Sequence, residues 1–250
     1  MNITGNTVFI PGATSGIGLG LALRLRAKGN TVIVGGRRAG LLEQIRAEHP
    51  GIDTVTIDTT DPASITAARD GLATRHPGLD TLITMAGIME PEDLRDPGSL
   101  DVAERTVEVN LLGPIRLINA FLPGLLAQPA ATVMTVTSGL AYVPLPATPT
   151  YNATKAAVHS FTESLRVQLT SSNVQVIELV PPATRTTLMN QQNSDVAMPL
   201  EDFLDEVMGL LEGDPKAEQI LVERVKWQRN AEAEGRYADV LGVLSGRYRS

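Results

Sequence analysis

No cysteine occurs in the 250 residues, so neither a disulfide framework nor thiolate chemistry is open to this chain. Histidine is scarce too. Of three, His49 and His76 each precede a proline and belong to loops. A His-rich metal centre is excluded, and no metal site is expected. Basic residues are the minority, 21 Lys and Arg against 28 Asp and Glu. That balance disfavours a surface built to track nucleic-acid phosphates. Long apolar runs are also missing. The longest is Leu140-Ala141-Tyr142-Val143, whereas a membrane span needs about 20 residues. The first six residues carry neither a positive start nor an apolar stretch, so no secretion signal is expected and the cytoplasm is the expected compartment. What is present is ordinary: 43% hydrophobic and 20% charged residues, enough to pack one globular domain of this length.

Short β-rich runs alternate with longer amphipathic stretches. Strands are expected at 7–10, 31–34, 53–57, 79–85, 132–137 and 174–180, and helices at 16–28, 40–48, from Pro62, 101–126 and 151–169. The long 101–126 helix should bend near Gly113-Pro114. Repeated β-α-β-α predicts a Rossmann-type α/β fold, a doubly wound parallel sheet in the order 3-2-1-4-5-6. No linker or repeat divides the chain, so residues 1–250 are read as one domain. Residues 183–198 are polar and irregular, as lids often are. With a helix over 200–211, a short strand at 220–222 and a charged helix over 226–234, they make 183–250 a substrate lid and helical C-terminal extension.

Gly12-Ala13-Thr14-Ser15-Gly16-Ile17-Gly18 follows the first strand and opens the first helix. Glycines there permit a tight turn, and the helix start offers free N–H groups to a pyrophosphate. The spacing is one residue longer than the usual dinucleotide fingerprint, and its strand-turn-helix setting strengthens it. About 20 residues on, an acid would receive the adenosine ribose hydroxyl of NAD. Here Gly36-Arg37-Arg38 stands instead, and two guanidiniums suit a 2′-phosphate. NADP(H) is favoured, with NAD(H) as the alternative.

Tyr151 and Lys155 share one face at the start of a helix, and Ser138 lies at the end of the fifth strand, where ligands of such sheets sit. A free phenol titrates near 10. A lysine cation about 5 Å away, at an effective dielectric of ~20, favours phenolate by roughly 3 kcal/mol, or about two pK units. Tyr151 then becomes a usable acid or base, and Ser138 can hydrogen-bond a carbonyl or alkoxide oxygen.

With these residues in order, together with Asp58, Ala86-Gly87 and Asn110, the chain resembles the short-chain dehydrogenase/reductases over roughly residues 5–190. The resemblance implies that Tyr151 is the catalytic acid/base, that Lys155 lowers its pKa and holds the nicotinamide ribose, and that Ser138 orients the substrate carbonyl. It implies that Asn110 bends its helix and holds a relay water, that Asp58 lies beside the adenine, and that Pro181 and Thr186 lie near the nicotinamide. It also implies homodimers or homotetramers, with an interface role for His159. Pro11, Thr84, Met85 and Pro182 depart from the family's pattern. The stretches 197–203 and 223–227 resemble a bacterial subgroup, DltE-like oxidoreductases associated with D-alanine esterification of teichoic acid. That association rests on gene neighbourhood, so no D-alanyl reaction is inferred.

Leu140, Tyr142 and Met189 are the expected substrate contacts, and Arg185 is weighed as an anchor for a carboxylate against a plain solvated arginine. The activity expected is reversible hydride transfer between a nicotinamide and a small to medium carbonyl or secondary alcohol. A non-catalytic dinucleotide sensor of the same fold is the different alternative.

Overall fold

Alternate side chains of each buried strand enter two separate cores, as a pleated strand with helices on both faces requires. The computed structural model describes residues 1–249. Its strands are β1 (Thr7–Pro11), β2 (Thr31–Gly36), β3 (Ile52–Thr56), β4 (Thr81–Thr84), β5 (Ala131–Val136), β6 (Val174–Leu179) and β7 (Gln219–Ile220). All are parallel, in the order β3-β2-β1-β4-β5-β6-β7. The expected order holds, with the short seventh strand added at the β6 edge.

Val8, Ile10, Val32, Val34 and Ile83 face one core, where helices α1 (Gly16–Ala27), α2 (Ala39–Glu48) and α7 (Leu200–Gly213) cover the sheet. Phe9, Ile33 and Leu82 face the other, under α3 (Pro62–Arg75), α5 (Gly113–Leu126) and α6 (Pro149–Gln168). Phe9 and Phe121 meet there with ring centroids 5.2 Å apart. Each such side chain contributes about 1.5–3 kcal/mol through burial.

Asp61 caps α3 by accepting the Ala63 N–H, with Pro62 in the first turn. The long helix begins as α4 (Ser99–Val107) and joins α5 through a π-helical segment, Glu108–Leu112, just before the Gly113-Pro114 pair where a bend was expected. The helical run Ser99–Leu126 is, by length and composition, apolar enough to cross a membrane. Here Leu117, Ile118, Phe121 and Leu125 turn that apolar face into the core.

The C-terminal quarter differs from expectation. In place of one charged helix over 226–234 there are two, α8 (Glu223–Arg229) and α9 (Tyr237–Arg249). The chain turns between them at Gly235, whose φ is +69°. The 183–198 segment folds back on itself. Arg185 N–H donates to the Met198 carbonyl, Met198 N–H to the Ala183 carbonyl, and Arg185 Nε to the Ser194 carbonyl at 2.8 Å.

Candidate active site

The C-terminal ends of the central strands open onto a cavity of about 950 Å³. The glycine turn forms one end. Gly12 has φ +89°, and a Cβ there would lie 2.4 Å from the Ala86 Cα. Only glycine lets the turn after β1 pass the loop after β4. A Cβ on Gly18 would lie 2.7 Å from the Ala13 Cα, so α1 also packs closely on its own turn. Ser15 precedes α1, but its hydroxyl caps no backbone N–H. The first-turn donors of α1 are left for an anion, and Ser15, Gly16, Ile17 and Gly18 all line the cavity. The glycine cradle and this donor set fit a dinucleotide pyrophosphate.

Thr14, Arg37, Arg38 and Asp58 lie outside the enclosed lining, beyond the ends of β1, β2 and β3. Both arginines are exposed. Arg38 Nη2 donates to Thr14 Oγ1 at 3.3 Å. Partial burial tends to raise the Asp58 carboxyl. Hydrogen bonds from the Thr60 N–H (2.9 Å) and hydroxyl (2.7 Å), with Arg37 nearby, outweigh it and hold Asp58 below the usual carboxylate range.

The other end of the cavity gathers Ser138, Tyr151 and Lys155. Ser138 begins the turn Gly139–Ala141, and its Oγ accepts the Leu140 N–H at 3.1 Å. Tyr151 and Lys155 lie one turn apart on α6, both buried. The Lys155 ammonium is 5.6 Å from the Tyr151 ring centroid and donates to the Val136 carbonyl at 2.8 Å. Burial pushes the Tyr151 phenol up to about 12, with a Ser138 hydrogen bond pulling the other way. Burial brings Lys155 down to about 8. In this structure burial moves the Tyr151 phenol upward rather than toward the expected two-unit drop. Burial dominates the phenol, and Lys155 spends a donor on the Val136 carbonyl.

Asn110 lies inside the π-helical segment, fully buried. Its Oδ1 accepts the Ile88 N–H and its Nδ2 donates to the Ile88 carbonyl, each at 2.8 Å. It thereby fixes the loop carrying Ala86 and Gly87. Gly87 lines the cavity with Pro181 and Thr186, while Ala86 backs the Gly12 turn.

Two expected substrate contacts change. Tyr142 and Met189 are not among the cavity's lining residues, whereas Leu140 is. Met189 stands in the 183–198 segment with φ +54°. Arg185 is absent from the lining and tied to Ser194. Tyr142 and His159 instead join a buried group that sequence reasoning missed. Glu178, on β6 and fully buried, accepts at Oε1 from the Thr137 hydroxyl (2.6 Å) and the Tyr142 hydroxyl (3.2 Å). Its Oε2 accepts from His159 Nδ1 (2.9 Å) and Gln219 Nε2 (2.6 Å). Arg229 stacks over the Tyr142 ring, 4.6 Å from its centroid. One carboxylate thus clasps both flanks of the Ser138 turn and ties them to the helix of Tyr151 and Lys155. The hydrogen bond to Glu178 raises the pKa of His159. Burial opposes ionisation of Glu178, but its hydrogen bonds, that of His159 first, hold it below the usual range. An acid inside the apolar strand Val174–Leu179 was the one sequence signal.

Comparison with known proteins agrees in pattern. Residues 6–197 match the family model for short chain dehydrogenases. The chain is 38% identical to the uncharacterized oxidoreductase DltE of Bacillus subtilis (strain 168) over 239 residues, 92% of this chain and 93% of that one. A short chain dehydrogenase from Burkholderia cenocepacia J2315, solved in complex with NADP, superposes with a TM-score of 0.82 at 25% identity, covering 96% of this chain and 98% of that one. The 3-ketoacyl-(acyl-carrier-protein) reductase from Brucella melitensis, complexed with NADH, gives 0.76 at 25% identity, over 87% and 94%.

Proposed function

The chain belongs to the short-chain dehydrogenase family and is an oxidoreductase, and we propose that it uses NADPH to reduce a carbonyl compound to a secondary or primary alcohol. The observation that carries this reading is the convergence of Ser138, Tyr151 and Lys155 on the cavity that the α1 N-terminus also faces. When bound, the nicotinamide supplies or accepts the hydride. Ser138 holds the substrate oxygen by hydrogen bond. Tyr151 gives that oxygen a proton as negative charge develops on it. Lys155 places positive charge beside the phenol and so stabilises the phenolate left behind. The exposed pair Arg37 and Arg38 supports NADP(H) over NAD(H), since both stand where an acid would otherwise receive the ribose. We extend the proposal to a homodimer or homotetramer acting on small molecules.

The test is NADPH consumption at 340 nm across ketones, aldehydes and quinones. Consumption that vanishes in Tyr151→Phe, with NADPH binding kept, is the expected result. Tight NADPH binding with no turnover anywhere in the panel would favour the dinucleotide sensor.

A further inference from the structure

Among the described residues, two cationic side chains line the cavity, Lys155 and Arg224, and no Asp or Glu does, in a chain whose net charge is −7. Lys155 is buried and bonded to Val136. Arg224, on α8, is exposed. Its Nη2 donates to the Val196 carbonyl at 2.5 Å, and among the described residues no carboxylate pairs with it. Arg24, Arg75, Arg105, Arg116 and Arg236 each lie against an acid, whereas Arg26, Arg46, Arg185 and Arg229 bond to uncharged oxygens; among the described residues Arg224 is the arginine that lines the cavity. An unpaired guanidinium keeps several donors in a planar fork suited to an oxyanion. The same lining holds apolar Met89, Leu140, Leu145, Trp227 and Leu244 beside polar Gln191, Ser194 and Gln228.

We propose that Arg224 is the anion-recognising residue of the substrate chamber, so that the substrate is a carbonyl compound with an apolar body and a terminal oxyanion such as a carboxylate. The carbonyl is held at Ser138 and Tyr151, the apolar body lies against the side chains from the Ser138 turn and the C-terminal helices, and the anion reaches α8. Arg224 takes over the role that sequence reasoning weighed for Arg185. The proposal rests on the hydride-transfer reading for the carbonyl end, but its anion end is testable without turnover.

Trp227 is the chain's one tryptophan and lies three residues from Arg224 on the same helix, in the lining of the same cavity. Its fluorescence is therefore a local reporter. Hexanoate and hexanamide share a shape and differ in charge. Titrated with NADP⁺ present and absent, hexanoate is expected to bind at least about tenfold more tightly than hexanamide, as a charge-assisted pair requires. Arg224→Gln should bring the two within about twofold, and Arg224→Lys should restore part of the difference. Equal binding of the two probes, a preference that survives in Arg224→Gln, or no saturable change with either probe overturns the proposal. An intact charge preference in a protein that reduces no carbonyl would sink the hydride-transfer reading alone. Turnover of neutral ketones without that preference would sink the anion site alone.

Discussion

Burial pushes the Tyr151 phenol up to about 12, so at neutral pH it holds the proton that the proposed reduction would deliver. In the proposed reaction, reduction would start from that protonated phenol, while alcohol oxidation would need the phenolate that burial disfavours. At the other end of the site, single side chains should choose the cofactor. A hydrogen bond to a charged group is worth about 1.5–3 kcal/mol. Arg37→Ala and Arg38→Ala are each expected to weaken NADPH roughly 10- to 100-fold and leave NADH almost unchanged, as read by isothermal titration. Equal losses for both cofactors would mean that neither arginine meets a 2′-phosphate. These arginines were legible in the sequence because their meaning depends on a fixed offset from the glycine turn. The pKa of Tyr151 was not, because burial and the competing Val136 carbonyl come from packing.

At the scale of elements, the Ser138 turn and α6 must keep their spacing within fractions of an ångström, and Glu178 joins them. Displacing reacting groups by about 1 Å can cost 10²-fold in rate. Glu178→Gln keeps the size but loses acceptors. It is expected to lower kcat for carbonyl reduction by about tenfold or more, with KM and NADPH affinity little changed. A proportionate rise in KM at constant kcat would show that Glu178 holds the pocket rather than the reacting groups. The strands were readable as apolar runs between glycines and prolines, and β1, β2 and β6 fall within two residues of their expected bounds. The split between α8 and α9 was not, since Gly242 and Gly246 interrupt the pattern of α9. The Glu178 clasp was invisible for another reason. It depends on β5, β6 and β7 standing in register, which no local pattern encodes.

For the whole molecule the same pair sets a pH window. Glu178 titrates below the ordinary glutamate value of 4.5, so its contribution is present above about that pH and is lost as pH falls through the lowered value. His159 titrates above the ordinary histidine value of 6.5, so its contribution is complete below about that pH and is lost as pH rises through the raised value. The two overlap between about pH 4.5 and 6.5. Glu163 on α6 and Arg229 on α8 face His159 with opposite effects, and Tyr142 and Gln219 complete its surroundings. The gap in urea midpoint between wild type and His159→Gln is expected to be larger near pH 6 than near pH 9. A gap independent of pH would show that the imidazole carries no charge in the fold.

The clasp also has a history within each molecule. A chain leaves the ribosome N-terminus first, and the glycine turn, Ser138, Tyr151 and Lys155 all precede Glu178. Gln219, Arg224, Trp227 and Arg229 follow it. A nascent chain therefore assembles its dinucleotide end while the Glu178 carboxylate still lacks one of its four donors. The α8 wall of the proposed substrate chamber is made last, so during vectorial synthesis the cavity can close only after Ser138, Tyr151 and Lys155 are already in the chain.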